Sequence, residues 1–174
     1  MKKYFLIISF LLFAINVMFA QTQKFGYVDS QVILTQFPAS IKAQGDLDAI
    51  TNLWLAQIDS MSLGYQQGLA DYQKQAGTMT DAQKQVKQQE LIAMEKSILA
   101  FRNQKFNQQG GEIFLKQEEI FEPVKQKIYA AIEQVAKDEA MQFVLDKSGD
   151  IILLYADAAF DITFKVLDKL RIGN

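Results

Sequence analysis

The side chains best suited to acid–base or metal chemistry are three closely spaced glutamates, Glu118, Glu119 and Glu122. Neighbouring carboxylates can transfer protons or hold a cation. No second group of ligands accompanies them, and the sequence contains no histidine and no cysteine, the residues that most often complete such sites. The three glutamates are therefore predicted to form a solvated helix face.

Two further patterns could bind phosphates or nucleic acid. The glycines of Gly64–Gly68 have no preceding strand and no lysine of a phosphate-binding loop. Lys84, Lys87 and Lys96 alternate with acidic residues, and the formal net charge is −2, which does not favour nucleic acid. We therefore predict a protein that is not an enzyme, with no cofactor, no metal and no nucleic-acid partner.

The N-terminus has the pattern of a secretory signal peptide. Lys2 and Lys3 precede an apolar run, Tyr4–Phe19, which ends at the small residue Ala20. The run is shorter than the roughly 20 residues of a spanning helix, although an uncleaved membrane anchor is the alternative. Cleavage after residues 1–20 removes two lysines, so the count changes from 18 basic against 20 acidic residues to 16 against 20. A mature chain of net charge −4 outside the cytoplasm is expected.

The mature chain begins with a short strand and continues into helices. Lys24–Ser30 is rich in β-forming residues, and Ser30 is expected to cap a helical turn that ends before Pro38. Apolar residues then recur every three or four positions over Ala39–Ala76, which predicts one long amphipathic helix. The stripe consists of Leu47, Ile50, Trp54, Ile58, Met61, Tyr65, Leu69, Tyr72 and Ala76.

A turn at residues 77–81 separates this helix from a second helical pattern over residues 80–139. Adjacent glycines, Gly110 and Gly111, interrupt the second pattern and cost about 2 kcal/mol relative to alanines inside a helix. They indicate either a hinge or kink, or a true helix end. Gly45 is expected at about the same height on the first helix, so both helices could bend together.

The last segment changes to a strand-like pattern. Met141–Asp146 and Ile151–Ala156 are predicted as strands joined by a hairpin turn at residues 147–150. Asp157 is expected to cap a final helix, Ala158–Leu170, with one apolar face. That face would hold Phe160, Phe164 and Leu167.

These elements predict an α+β, mostly α, single domain over residues 21–174. Long helices joined by a short turn should form an antiparallel coiled-coil hairpin, an arm of residues 39–139. The strands can meet only at its base, in a body of residues 21–38 and 140–174. Three short strands leave open edges and an apolar run, Ile151–Leu154, which a closed homo-oligomer would cover.

At this point the chain resembles the Skp/OmpH family of periplasmic chaperones. The resemblance covers the mature chain and rests on the opening strand Phe25–Asp29, the long hairpin between strands, and the closing segment. The most specific part is Asp161-Ile162-Thr163 followed by Val166–Leu170. It implies a periplasmic homotrimer whose strands form a small β-barrel and whose three arms enclose a cavity. Such proteins hold unfolded outer-membrane β-barrel proteins soluble, without ATP or catalysis.

The resemblance also implies site residues. Weak contacts with many clients suit methionine and aromatic side chains, although the same side chains could instead form the seam between the two helices. Trp54 is expected in the core, and Phe106 is expected outside the seam. The candidate client-binding residues are Met61, Tyr65, Tyr72, Met79, Met94, Phe101 and Phe106, with Gly45, Gly110 and Gly111 as hinge residues. The expected trimer body comprises Tyr27, Val28, Phe143, Leu145, Ile152, Leu154 and Ile162.

The charge of the chain departs from the family, whose members are often basic. The acidic balance argues against the lipopolysaccharide or anionic-lipid contact that the family implies, so only a weak membrane-surface contact is expected. The alternative function is a structural coiled-coil spacer of the cell envelope without chaperone activity. That spacer would form oligomers with no affinity for denatured proteins.

Overall fold

The structure is a computed structural model, and it describes residues 23–172. The predicted signal peptide, residues 1–20, lies outside the described residues. Helices dominate the described residues, and the two short strands come before and after the first four helices. The elements are β1 Phe25–Val28, α1 Ser30–Gln36, α2 Pro38–Gln75, α3 Asp81–Phe106, α4 Glu112–Asp138, β2 Phe143–Asp146, a 3-10 turn Ala158–Phe160, and α5 Thr163–Ile172.

Helix α1 begins one residue earlier than the sequence predicts. Asp29, rather than Ser30, is the N-cap, and its carboxylate accepts a hydrogen bond of 3.0 Å from the Val32 N–H. The helix ends at Phe37, whose backbone is extended because it precedes Pro38. Pro38 then starts α2, at a position where a helix needs no N–H donor.

The long hairpin is confirmed. Helix α2 has 38 residues and is therefore about 57 Å long. Thr80 and Gln83 form a capping box at the start of α3, each side chain bonded to the backbone of the other. Helix α3 returns along α2, so that Leu91 contacts Gly68 near the tip, and Phe106 contacts Trp54 farther down.

Two helices, α3 and α4, stand where the sequence pattern predicts one helix over residues 80–139. This decides whether Gly110 and Gly111 form a hinge within a helix or mark a helix end. Gly110 has φ +131°, a backbone conformation that favours glycine. A Cβ on Gly111 would lie 2.6 Å from the backbone nitrogen of Asn107. The glycines therefore mark a true helix end, with a tight joint between α3 and α4. Helix α2 continues through Gly45 without interruption.

The two strands pair in parallel, with Phe25 opposite Phe143 and Val28 opposite Asp146. The predicted hairpin of two C-terminal strands is wrong for the single chain, since residues 151–156 form no strand. The other edge of β1 is occupied by a bridge between Tyr27 and Asp161. Ser148, in the turn after β2, hydrogen-bonds to the Ser30 hydroxyl and accepts a hydrogen bond from the Gln31 N–H at the start of α1.

The final helix is shorter than predicted, because the chain turns at Asp161. Asp157 does cap a helical turn, but only the 3-10 turn. The Asp161 carboxylate accepts a hydrogen bond from the Thr163 N–H at 2.9 Å and starts α5 instead. The predicted apolar face is also wrong for Phe164, which is 65% exposed. The buried face of α5 consists of Thr163, Val166, Leu167 and Leu170.

The core lies at the base of the arm, where α1, the start of α2, the end of α4 and α5 meet the sheet. Its largest fully buried side chains are Phe37, Ile33, Ile162 and Leu167. Beyond this base, the arm contributes few buried residues, because each of its helices has a single apolar stripe. The principal core cluster consists of Val28, Ile33, Phe37, Ala43, Val124, Ile128, Ala131, Val135, Met141, Ile162, Val166, Leu167 and Leu170.

Gly26 lies where β1 crosses Met141. A Cβ at this position would lie 2.2 Å from the Met141 sulfur, so Gly26→Ala should force a buried side chain to move. We expect the free energy of unfolding to fall by about 1–3 kcal/mol in urea denaturation. Gly149→Ala is the control, since its Cβ would make ordinary contacts from 3.5 Å. Equal stabilities of the two variants would contradict this packing.

The Asp146 side chain links the end of β2 to the start of α1 by hydrogen bonds. Its carboxylate accepts hydrogen bonds from the backbone N–H of Ser30 and of Ser148, both 3.1 Å long. Although burial raises the pKa of Asp146, hydrogen bonds from Ser30 and Ser148 lower it below the ordinary value.

A lowered pKa gives stability that is present above the pKa of the unfolded chain and lost as the pH falls through the folded pKa. Asp146→Asn keeps an acceptor but does not titrate. We therefore expect it to weaken the loss of stability in acid, as measured by urea denaturation from neutral pH to below pH 4. An unchanged acid dependence would contradict this role.

Candidate functional site

The candidate site on the arm is built on the seam between α2 and α3. Two glycines on α2 let α3 approach closely: Met94 lies over Gly64, and Leu91 lies over Gly68, where its Cδ2 is 3.3 Å from the position of a Cβ. Farther down, Trp54 and Phe106 pack edge to face with ring centroids 5.9 Å apart. Gly64 and Gly68, which lack the lysine and the strand of a phosphate-binding loop, therefore serve helix packing.

The residues predicted to bind clients lie mostly along this seam. Phe106 was expected outside it but packs on Trp54, because α3 crosses α2 at that height. The Tyr72 hydroxyl accepts a hydrogen bond of 2.8 Å from the Gln88 side chain. Met94 is the most exposed of the set, at 37%. The half-buried members are Met61, Tyr65, Tyr72, Met79, Phe101 and Phe106.

A different set of apolar side chains is exposed on the arm. Leu63 on α2 is 55% exposed, and Ile92 and Leu99 on α3 are 50% and 54% exposed. Ile92 and Leu99 are seven residues apart, so they share one face of α3. The sequence does contain a signal for them: Ile92 directly follows Leu91, and neighbours on a helix point about 100° apart. When one of two adjacent apolar residues enters the seam, the other faces away.

The joint between α3 and α4 is held by side chains of three helices. The Lys105 ammonium pairs with the Glu112 carboxylate and lies 4.8 Å from the centroid of the Trp54 ring. The Gln104 amide also donates to Glu112, at 2.6 Å. These two hydrogen bonds, Lys105 first, lower the pKa of Glu112 below its ordinary value. Gly45, Gly110 and Gly111 remain predictions as hinge residues.

The body carries a second candidate surface, an open cleft of about 940 Å³ beside β1. Phe25 and Phe143 stack at 5.1 Å on the sheet, and each remains about half exposed. Leu153 and Tyr155 line the cleft, and the neighbouring Leu154 is 92% exposed. Adjoining apolar and uncovered surfaces of this kind mark an interaction site.

The predicted trimer residues divide into two groups. Tyr27, Val28 and Ile162 are buried within the single chain. Leu145 is half-buried and lines the cleft. The exposed members are Phe143, Ile152 and Leu154, which are 51%, 85% and 92% exposed, and they are the ones free to contact another chain.

The charged clusters form ion pairs on the surface. Glu118 pairs with Lys125 at 2.9 Å, and Glu119 pairs with Lys116 at 2.6 Å. The Lys125 hydrogen bond lowers the pKa of Glu118. Over residues 23–172, His, Cys, Asp and Glu form no group of three or more that could hold a metal ion. The same residues include no helix long and apolar enough to cross a membrane.

Comparison with known proteins gives one family and one fold. The family model described as outer membrane protein (OmpH-like) matches residues 24–170. A crystal structure of an OmpH-like protein from Caulobacter crescentus superposes with a TM-score of 0.75. The two chains are 14% identical over 88% of this chain and 86% of the other, which shows a shared fold. No curated protein sequence matches the chain.

The packing of the seam predicts that alanine substitutions at Gly64 and at Gly68 change stability by different amounts. Alanine inside a helix is more stable than glycine by about 1 kcal/mol, and a Cβ at Gly64 would make an ordinary contact of 3.7 Å with Met94. Gly64→Ala should therefore stabilise the arm in thermal unfolding followed by circular dichroism. Gly68→Ala should gain less, because its Cβ would press on Leu91 at 3.3 Å. Equal gains at both positions would mean that α3 does not approach α2 this closely.

Proposed function

Because the chain belongs to the OmpH-like family of outer membrane proteins, we propose that it is a periplasmic holdase that works without ATP. It would bind unfolded outer-membrane β-barrel proteins and prevent their aggregation. The observation that supports this most directly is the set of exposed aliphatic side chains on an otherwise polar arm. The N-terminal pattern supports export, with residues 1–20 as a cleaved signal peptide.

The arm suits weak, repeated contact with apolar segments. Burying one exposed leucine or isoleucine partly against a client contributes about 1 kcal/mol or less, so no single contact holds the client. Contacts at several heights on the arm, such as Leu53, Leu63, Ile92 and Leu99, would add up while allowing release. The half-buried seam residues would contribute through their exposed edges.

The charges of the arm support recognition by apolar contact. Residues 38–106 contain seven basic and seven acidic residues, a net charge of zero. Several of the lysines pair within one helix, such as Lys42 with Asp46 and Lys87 with Glu90. A surface without net charge has little long-range attraction for anionic lipid. Contact with the membrane surface would therefore be weak.

The body supports a homotrimer as the working form. The cleft beside β1 and the exposed segment Ile151–Tyr155 lie on the same chain, and the segment has no sheet partner there. In a closed ring, the segment of one chain can cover the cleft of the next. Three chains would then present three arms around a common space.

The first experiment is light scattering on a sizing column with residues 21–174. The chain is run alone and then with a urea-denatured outer-membrane barrel protein diluted into buffer. A particle of three chains that co-elutes with soluble client would support the holdase. An oligomer beside a precipitated client would favour the envelope spacer, and a monomer would contradict the shared body.

Binding that depends on apolar contact should resist salt. We expect the affinity for a denatured barrel protein, measured by fluorescence anisotropy, to change less than threefold between low salt and about 0.5 M NaCl, where charge attractions are strongly screened. A fall of tenfold or more would mean that charges hold the client. Such a fall would be compatible with holdase activity, but it would contradict recognition by apolar contact.

The exposed aliphatic side chains should carry the affinity. The triple variant Leu63→Gln, Ile92→Gln and Leu99→Gln is expected to weaken client binding about tenfold, which corresponds to about 1.4 kcal/mol. The matched control replaces three exposed polar residues of the same helices with alanine: Gln66, Gln89 and Asn103. Equal affinity of the triple variant and the control would contradict the proposed contact surface.

A further inference from the structure

The joint between α3 and α4 has an ion pair unlike the others in the described chain. Most other ion pairs either lie within one helix or have a cation at least 37% exposed. The Lys105 side chain is only 14% exposed, although it belongs to a thin arm. It pairs with Glu112 across the joint, from the end of α3 to the start of α4. The Glu112 side chain is 35% exposed, so the pair is partly buried, and such a pair is screened less by solvent than a fully exposed one.

The same ammonium group also binds the joint to α2. It lies 4.8 Å from the centroid of Trp54 and 5.3 Å from that of Phe101. A cation near an aromatic face is attracted to it, more strongly where water is excluded. Trp54 is 9% exposed and lies on the uninterrupted helix α2. Lys105 therefore contacts side chains of all three helices that meet at this height.

The backbone of the joint does not provide comparable cross-links. Its hydrogen bonds join residues of the link itself, such as the Gly111 N–H to the Asn107 carbonyl at 2.7 Å. They fix the shape of the turn but do not attach it to α2. The attachment depends on Lys105, and on the packing of Phe106 against Trp54.

We propose that Lys105, Glu112 and Trp54 form a latch that fixes the joint between α3 and α4 against α2. The latch sets the direction of the outer arm relative to the base. Without it, α3 would pivot at the glycines of the joint, and the outer arm would sample a wider range of positions. The effect on client capture rests on the proposed holdase function, whereas the effect on arm position does not.

The sequence allows a direct test of arm position. The chain has no cysteine, so Ala82→Cys near the tip and Ala130→Cys on α4 can carry spin labels at exposed helical sites. Labelled chains are diluted into unlabelled ones, so that distances within one chain dominate. Pulsed electron paramagnetic resonance then gives the distribution of tip-to-base distances.

In this background, Lys105→Met and Glu112→Gln should each widen the distance distribution. Lys87→Met is the matched control, since the Lys87–Glu90 pair of 2.5 Å lies within α3 and does not cross the joint. The control should keep the narrow distribution. Equal, narrow distributions in all variants would overturn the latch. Widening by Lys105→Met alone would overturn the ion pair with Glu112 as a part of the latch, because the contact of the ammonium group with the aromatic rings would then hold the joint without it.

The single tryptophan of the sequence gives an independent measurement. Trp54 emission should move to longer wavelength in Lys105→Met and in Glu112→Gln, because release of the latch admits water to the ring. The Lys87→Met control should keep the original spectrum, and circular dichroism checks that each variant is folded. Unchanged Trp54 emission in folded latch variants would overturn the proposal even if the client assay fails for another reason.

Discussion

One constraint shapes the chain: the apolar stripe of α2 must be covered along a helix of about 57 Å. Neither α3, with 26 residues, nor α4, with 27, is long enough to do so alone. They are therefore placed one after the other along α2, α3 over its outer part and α4 over its base. This arrangement requires a joint between them, and the joint must lie against α2, where Trp54 is positioned.

The same constraint explains why the arm is ordered and yet exposes apolar side chains. A hairpin of two helices can bury only one stripe of each, so every further apolar residue remains exposed. Leu63, Ile92 and Leu99 are the visible result. Exposed apolar side chains of this kind often mark interaction sites, and in the proposed holdase they would contact the unfolded client.

The base of the arm is stabilised differently, because its β-sheet is very small. Two parallel strands of four residues each are held by α1, α5 and the carboxylates of Asp29, Asp146 and Asp161. The remaining strand-like segment, Ile151–Tyr155, finds no partner within one chain. Leu153 and Tyr155 of this segment line the cleft, whereas Ile152 and Leu154 stay exposed, and this uncovered surface is what the proposed trimer would bury.

Local patterns in the sequence determined the long helix α2, the tip turn and the opening strand. The spacing of three and four residues, the Phe37–Pro38 boundary and the capping residues act within one turn of the backbone, so they can be read without tertiary contacts. The resemblance to the family, now supported by the match over residues 24–170, also depended on such local motifs. The core position of Trp54 followed from its place in the apolar stripe.

Tertiary structure alone decided which apolar residues face each other and which face water. Phe106 enters the seam and Ile92 does not, because the crossing of α3 over α2 selects one face, which spacing within α3 cannot specify. The parallel pairing of β1 with β2 likewise joins residues more than a hundred positions apart. The contact of Lys105 with Glu112 and Trp54 needs the end of α3, the start of α4 and the middle of α2 at one height. Such contacts depend on how the elements are placed, and no local pattern in the sequence contains that information.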